Sequence, residues 1–353
     1  MLAEVGRELA ASGLELCRAQ PRGDVLHVEA RDTSGQLRRG QWVPDPDQAE
    51  AIARETAQVA PGLVTRCGPH LLVQDAGADR RLTRLAPLVA GGATLVAHRP
   101  ERRAVVHDDE GYLKLVRRRR LPDLVDRTSR VAQVPGLRAP RVTAIDPHQG
   151  LLRLATVPGT PVHQLLPDLG EASAGAVGAT VRTLHEAPRE LVTDLPRHDL
   201  AAETAATRAV VEQARRHGAI TAVLAADLRR RTDRAATAID AAGPPGLGLV
   251  HRDLHDKQLL VDASGEVGVL DADLLARGDP ALDLGNLGAH LCLRAAQGSL
   301  SADRAARLRS SMMLGYAPER RLREAADGYA ALAEVRLRAL YAFRPADSPA
   351  AWH

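Results

Sequence analysis

The spacing of apolar positions changes character twice along the chain. Helical spacing over roughly 2–12 gives way to alternating runs in DVLHVEARDTSGQLRRGQWV, which predict two strands around a Thr33-Ser34-Gly35 turn. Asp45 and Asp47 precede an apolar-periodic run in PDPDQAEAIARETAQVA, so a helix begins there. HLLVQD near 70 predicts another short strand. Residues 1–80 thus form an accessory N-terminal α/β unit, and no motif in it carries chemistry.

Over 81–157 the pattern is strand-like. Apolar runs at 93–97, 104–107 and 112–116 are separated by turns at Arg99-Pro100-Glu101 and at His107 to Gly111. Pro122 opens a helix in DLVDRTSRVAQV. RVTAIDPHQGLLRLATV adds two strands around Asp146-Pro147-His148, and the breaker cluster PGTP at 158–161 predicts a hinge. From there to 353 the chain is mostly helical, with helices at 171–187, 200–217, 219–242, 302–314 and 320–342. One strand-rich stretch, 247–275, interrupts them. The predicted class is α+β: a small β-rich N-lobe (81–157), a larger helical C-lobe (158–353) and a cleft between them.

Composition narrows the picture. The chain has 353 residues with 45% hydrophobic content, enough for two or three packed units. Aromatics are only 2%, so Leu, Val and Ala must build the cores. No apolar stretch reaches eighteen residues, which argues against a membrane span. The N-terminus lacks an apolar secretory core, and Cys17, Cys67 and Cys292 have no metal-ligand spacing; both fit a reducing cytoplasm. Net charge is +3 and no basic stripe is interleaved with aromatics, which argues against nucleic acid as a partner. Of the 47 basic residues, lysine occurs only at Lys114 and Lys257, so each surviving lysine is informative.

The stretch from Leu249 to Leu287, LVHRDLHDKQLLVDASGEVGVLDADLLARGDPALDLGNL, holds the chemistry. Phosphoryl transfer needs a carboxylate for the attacking hydroxyl, oxygen ligands for Mg²⁺ and a cation on the nucleotide phosphates. In His251-Arg252-Asp253 the aspartate is followed five residues later by an amide, Gln258, the spacing of a kinase catalytic loop. A short hairpin turning at Ser264-Gly265 returns the chain to Asp271, where a metal can be held. On a regular strand Asp273 would point the other way, unless the chain turns there. Lys114 sits mid-strand in YLKLV, the third strand of the small lobe, where a kinase places its phosphate-binding lysine. No GxxxxGK[ST] loop exists, which excludes a Walker-type NTPase.

These residues resemble the catalytic core of the aminoglycoside phosphotransferase/choline kinase family, which has a protein-kinase-like fold. That family's H-G-D-[LF]-H-x-x-N, D-[WFA]-[EDG] and G-D-P-x-x-D-L motifs align with His251, Asp253, Leu254, His255 and Gln258, then Asp271 to Asp273, then Gly278, Asp279, Pro280, Asp283 and Leu284. The resemblance spans about 85–345. It implies Asp253 as the catalytic base, Gln258 and Asp271 as Mg²⁺ ligands and Lys114 on the phosphates of ATP or GTP. It also implies structural roles for Asp279 and Asp283. Lys257, inside the loop, is a candidate for the γ-phosphate. Three departures stand out. Gln258 replaces the usual Asn, one methylene longer. Arg252 replaces Gly and is read as half of a structural ion pair. The helix after Lys114 has no glutamate to pair with it; Asp123 and Asp126 are the candidates, with Asp126 better placed on the inward face.

The acceptor is less legible. A polycationic acceptor calls for acidic walls, yet the C-lobe segments carry Arg208, Arg215, Arg229, Arg230, Arg231 and Arg336 among others. A neutral or anionic hydroxyl compound fits better: an antibiotic, a sugar or a nucleoside. The alternatives are Ser/Thr of a precursor peptide in a lanthipeptide-like natural-product pathway, and a pseudokinase acting as a binding or scaffold module. Residues 1–80 would then offer a surface to a protein partner.

Overall fold

The computed structural model describes residues 1–349; residues 350–353, the end of the expected C-lobe, lie outside the described residues. The chain opens with α1 (Leu2–Ala11), β1 (Glu15–Arg22), β2 (Val25–Arg31), β3 (Leu37–Trp42), α2 (Pro46–Val59), β4 (Val64–Arg66) and β5 (Leu71–Gln74). The strands form one antiparallel sheet in the order β1-β2-β3-β5-β4. The Asp45 carboxylate starts α2 by accepting from the backbone N–H groups of Asp47 and Gln48. β1 was not expected: ELCRAQPR has no clean alternation, and its pairing with β2 supplies what its own pattern lacks.

The next elements are α3 (Leu85–Ala90), β6 (Thr94–Arg99), β7 (Arg103–Asp108), β8 (Gly111–Val116), α4 (Leu121–Ala132), β9 (Val142–Asp146) and β10 (Leu151–Leu154). A second antiparallel sheet has the order β6-β7-β8-β10-β9. Lys114 sits on its central strand, opposite Val105 of β7 and Leu152 of β10. Leu121 and Leu124 press α4 onto the sheet through Val116, Leu152 and Leu154.

Beyond lie β11 (Thr160–Pro161), α5 (Val162–Leu165), α6 (Glu171–His185), β12 (Arg197–His198), α7 (Leu200–Arg216) and α8 (Ala222–Ala241). Then come β13 (Gly248–Val250), β14 (Leu259–Val261), β15 (Val267–Val269), β16 (Ala276–Gly278), α9 (Ala281–Ala296), α10 (Ala302–Tyr316) and α11 (Arg320–Tyr341). The expected hinge segment becomes β11 and pairs with β14, so it is anchored to the helical side. α9 is buried over nearly its whole length, polar Asp283, Asn286, His290 and Arg294 included, so no exposed polar face marks it in the sequence. That is why periodicity missed it. α6 and α10 pack backbone to backbone: a Cβ on Gly178 would lie 1.8 Å from the Met312 carbonyl oxygen. No helix of the described residues is long and apolar enough to cross a membrane.

The first sheet does not stand apart. Val5, Leu9, Leu26, Val28 and Trp42 share one buried cluster with Val211, Leu228, Val335 and Phe343 of the C-terminal helices and the residues after them. The backbone N–H of Ala19 donates to the Phe343 carbonyl at 2.8 Å. At its other end the unit grips the β6–β7 turn. Buried Asp79 accepts from His98 Nε2 (2.9 Å) and from the backbone N–H groups of Arg81 (2.7 Å), Leu82 (3.0 Å) and Glu101 (2.7 Å). Arg80 donates to both carboxylate oxygens of Glu101.

Candidate active site

The loop after β13 is held from behind by Asp283 at the start of α9. This carboxylate, fully buried, accepts from the backbone N–H of His251 at 2.6 Å and of Arg252 at 2.8 Å, and from His185 at 3.1 Å. Burial opposes its charge, and the His185 and backbone hydrogen bonds outweigh it, so its carboxyl lies below the usual range. Asp279, just ahead of the same helix, accepts from the Ala281 N–H and from both terminal nitrogens of Arg321. His251 donates through Nε2 to the Leu270 carbonyl at 2.7 Å, tying the loop to the end of the β14–β15 hairpin.

Arg252 adopts φ +70°, in the left-handed region that favours glycine. The family motif's glycine therefore answers a backbone need, and here an arginine meets it under strain. The expected ion pair does not form: Arg252 donates to the Leu274 carbonyl at 3.3 Å, and its Nε is buried without a partner. The guanidinium is turned to that carbonyl, while the Asp283 carboxylate meets the Arg252 residue through its backbone N–H.

Asp271 too is left-handed, at φ +60°, and a single 3₁₀ turn over Ala272–Leu274 follows. That turn swings Asp273 round to the side of Asp271 instead of across the strand. Lys114 Nζ consequently donates to both, at 2.6 Å each. Arg103 pairs with Asp273 and lies 3.9 Å from Asp271. Burial disfavours the Lys114 charge, and the two aspartates more than offset it, so its ammonium titrates above its ordinary value. The same lysine and Arg103 hold the Asp271 carboxyl well below the carboxylate range despite its burial.

The expected Lys114–Asp126 pair is absent. Arg130, one turn further along α4, takes both Asp126 oxygens through Nε at 2.9 Å, and Asp126 is exposed. Asp123 faces a different cavity. Asp126 is engaged by Arg130 instead, and Asp273, delivered by the turn, takes the place expected of it beside Lys114. α4 contributes Arg127, which donates to the Asp273 carbonyl at 2.6 Å. Asp273 and Arg103 are the site residues that sequence reasoning missed; the αL turn at Asp271 was the missing fact.

Two cavities meet at Asp271. One, of about 490 Å³, is walled by Val96, Val105, Leu154, Val157 and Leu260 and reaches Lys114 and Gln258. The other, about 480 Å³, holds Asp253 and Asp273. The Asp253 side chain is open to this cleft, yet the walls crowd it enough that desolvation raises its carboxyl, against the pull of His255 and His251. Lys257 is exposed on the loop and reaches no acidic partner within ion-pair distance among the described residues.

The family described as "Phosphotransferase enzyme family" matches residues 100–325, well over half the chain. The chain belongs to this family. It is a phosphotransferase of the kinase class, acting on an alcohol group. The phosphotransferase is similar to aminoglycoside phosphotransferase APH(3'')-Id from Streptomyces rimosus, at 22% identity over 72% of this chain and 96% of that chain, with TM-score 0.52. It is also similar to a choline/ethanolamine kinase family protein from Mesorhizobium loti, at 21% identity over 76% of this chain and 85% of that one, with TM-score 0.52. The Streptomyces protein has also been solved in complex with ADP and streptomycin (21% identity, 70% and 96% coverage, TM-score 0.50). At such identities the likeness shows the fold: the protein-kinase-like bilobal α+β architecture. No curated protein matches the chain.

Proposed function

We propose that this phosphotransferase moves the γ-phosphate of ATP or GTP to a hydroxyl of a small molecule. The observation that carries the reading is the position of Asp271 at the junction of an apolar cavity and a charged one. The first suits a nucleotide base and sugar, the second the acceptor. Lys114, fixed between two carboxylates at that junction, is the cation for the nucleotide phosphates. Gln258 and Asp271 would hold Mg²⁺. The set fits: both offer hard oxygen atoms, they line the same cavity, and the Gln258 amide makes no side-chain hydrogen bond to a described residue. The metal, when bound, would neutralise charge building on the transferred group.

Asp253 orients the acceptor hydroxyl and takes its proton. The hydroxyl oxygen forms a bond to the γ-phosphorus as the bond to the β-phosphate bridging oxygen breaks, and the nucleoside diphosphate leaves with that electron pair. Asp283 acts through the backbone: by fixing two N–H groups of the loop it sets where Asp253 points. Arg103 shares the load of Asp271 and Asp273 with Lys114. Lys257, exposed at the loop, is the cation that would meet the γ-phosphate from the open side.

The same reading takes residues 1–80 as an accessory unit, 81–157 as the N-lobe and the rest as the C-lobe of a cytoplasmic enzyme. A protein partner of the accessory unit would meet its outer side, since the inner side is filled by the chain's own helices. Thermal stabilisation by ATP or GTP with Mg²⁺ tests the proposal, and a chain that no Mg-nucleotide stabilises would overturn it.

A further inference from the structure

The arginines of the C-lobe, which sequence reasoning set against a cationic acceptor, are mostly spoken for. Arg208 pairs with Asp233, Arg215 and Arg229 with Glu212, Arg230 and Arg231 with Asp227, and Arg336 with Glu203. Six arginines there share four carboxylates, and the Arg336–Glu203 pair is largely buried, so their charge is offset in part. A second group of six arginines stands on the N-lobe wall of the Asp253 cavity: Arg99, Arg102, Arg117, Arg119, Arg120 and Arg127. Of these, Arg99, Arg102, Arg119 and Arg120 form no ion pair with any described residue, while Arg117 is shared with Glu101. The acidic groups of the cavity cannot balance them. Asp271 and Asp273 are already balanced by Lys114 and Arg103, which leaves Asp123 and Asp253.

The accessory unit thickens this positive wall. Arg99, crowded by burial and by the like charges of Arg103, Arg22 and Arg18, has its guanidinium pulled down to about 9. Arg22, at the end of β1, is pulled down to about 10 by burial and by Arg102, Arg103 and Arg18. All stay charged at neutral pH. Arg22 Nε is buried with no hydrogen-bond partner. The turn that carries Arg99 and Arg102 is not free to relax away, because Asp79 and Arg80 grip it at His98 and Glu101. Like charges are thus held together beside Asp253, whose single carboxylate offsets Arg99 only in part; Arg99 and Arg22 are partly desolvated, while Arg102, Arg119 and Arg120 are open to solvent. Guanidinium forks match the oxygens of a phosphate or carboxylate, and a doubly charged phosphate matches this excess best.

We propose that the acceptor of this phosphotransferase is itself an anion, a hydroxyl compound bearing a phosphate monoester or carboxylate, whose charged group docks on Arg99, Arg102, Arg119 and Arg120 while its hydroxyl faces Asp253. The inference rests on the kinase reading above for the roles of Asp253 and the neighbouring cavity. A cationic aminoglycoside is excluded from this wall by repulsion.

The test has two arms. In the first, binding of glucose 6-phosphate, ribose 5-phosphate and gluconate is measured by titration calorimetry against glucose, ribose and streptomycin, on the full chain and without nucleotide. The anions bind, and their Kd weakens with added salt. In R119S/R120S it rises by about tenfold per arginine lost, the worth of one charge-assisted contact. Arg102→Ser, at an exposed turn position, provides a second variant if that pair folds poorly. In the second arm, Kd for MgATP and MgGTP is measured on the same variants and moves little. No anion binding, or preferred binding of the neutral or cationic compounds, overturns the inference, as does a loss confined to nucleotide affinity. Failure of wild-type chain to bind any Mg-nucleotide would instead strike the kinase reading, so the two failures are distinguishable.

Discussion

Asp283→Asn is the most informative single substitution for the architecture of the loop. It changes one oxygen to an NH₂ group and removes one charge. In the native site one carboxylate oxygen accepts from the His251 N–H and from His185, and the other from the Arg252 N–H at 2.8 Å. An asparagine can keep its oxygen toward His251 and His185 only by turning its NH₂ toward the Arg252 N–H. Two donors then face each other in a site with no solvent access. One charge-assisted hydrogen bond is lost and a buried donor is left unmet, together about 2–4 kcal/mol. A domain of ordinary stability survives that, whereas Asp283→Ala, which strands three donors, costs about 3–5 kcal/mol. Urea unfolding of D283N should show a lower midpoint with an unchanged slope. The acid dependence adds a check on sign. The folded-state pKa of Asp283 is depressed, so its stabilising contribution is present above the unfolded carboxylate value of about 3.9 and is lost as pH falls below it. The gap between wild type and D283N should therefore narrow in acid. The control is Asp233→Asn, which removes an exposed pair with Arg208 and should cost no more than about 0.5 kcal/mol. If D283N were as mild as this control, the claim that Asp283 fixes the loop would fail.

Asp253→Asn should lower kcat by about 10²–10⁴-fold while Mg-nucleotide affinity, read by calorimetry, stays near wild type; turnover that survives would remove Asp253 from the role of base. Because desolvation raises the Asp253 carboxyl, the acid limb of kcat/KM should lie above the ordinary carboxylate range, and Arg99→Ala, by removing a positive neighbour, should move it higher still; a downward move contradicts the assignment. Lys114→Met should weaken nucleotide binding by about tenfold, and an unaltered Kd would free the lysine from the phosphates. Arg252→Gly relieves a left-handed backbone and should be more stable than Arg252→Ala by about 1 kcal/mol in urea unfolding, with equality showing that the loop carries no such strain.

Most of the helices and the second sheet were readable, because each buries one face and so keeps a period. α9 was not, since its polar positions are buried together with its apolar ones. β1 was missed because its order comes from a neighbour and not from its own side chains. The motif that groups Asp253, Gln258 and Asp271 was visible in the sequence because it lies within one short stretch of chain. The partners of Lys114 were not legible: Asp123 and Asp126 were the expected ones, and Asp271 was in view only as a metal ligand. Asp273 depends on one left-handed residue, and no pattern of side chains announces a backbone angle. The arginine wall gathers residues from β6, the turn after it, the segment following β8 and α4, so only the folded chain assembles it.

The double attachment of the first sheet bears on how the cleft works. A jaw joined at one hinge swings freely, but this one is also tied to the helical lobe through the first sheet. The strap runs from Phe343 and its neighbours, through the β1–β5 sheet, to the Asp79 grip on the β6–β7 turn. Any rotation that widens the jaw must therefore slide the sheet over the helices or pull the turn off Asp79. The first sheet thus couples the position of the β6–β7 turn to the packing of the C-terminal helices.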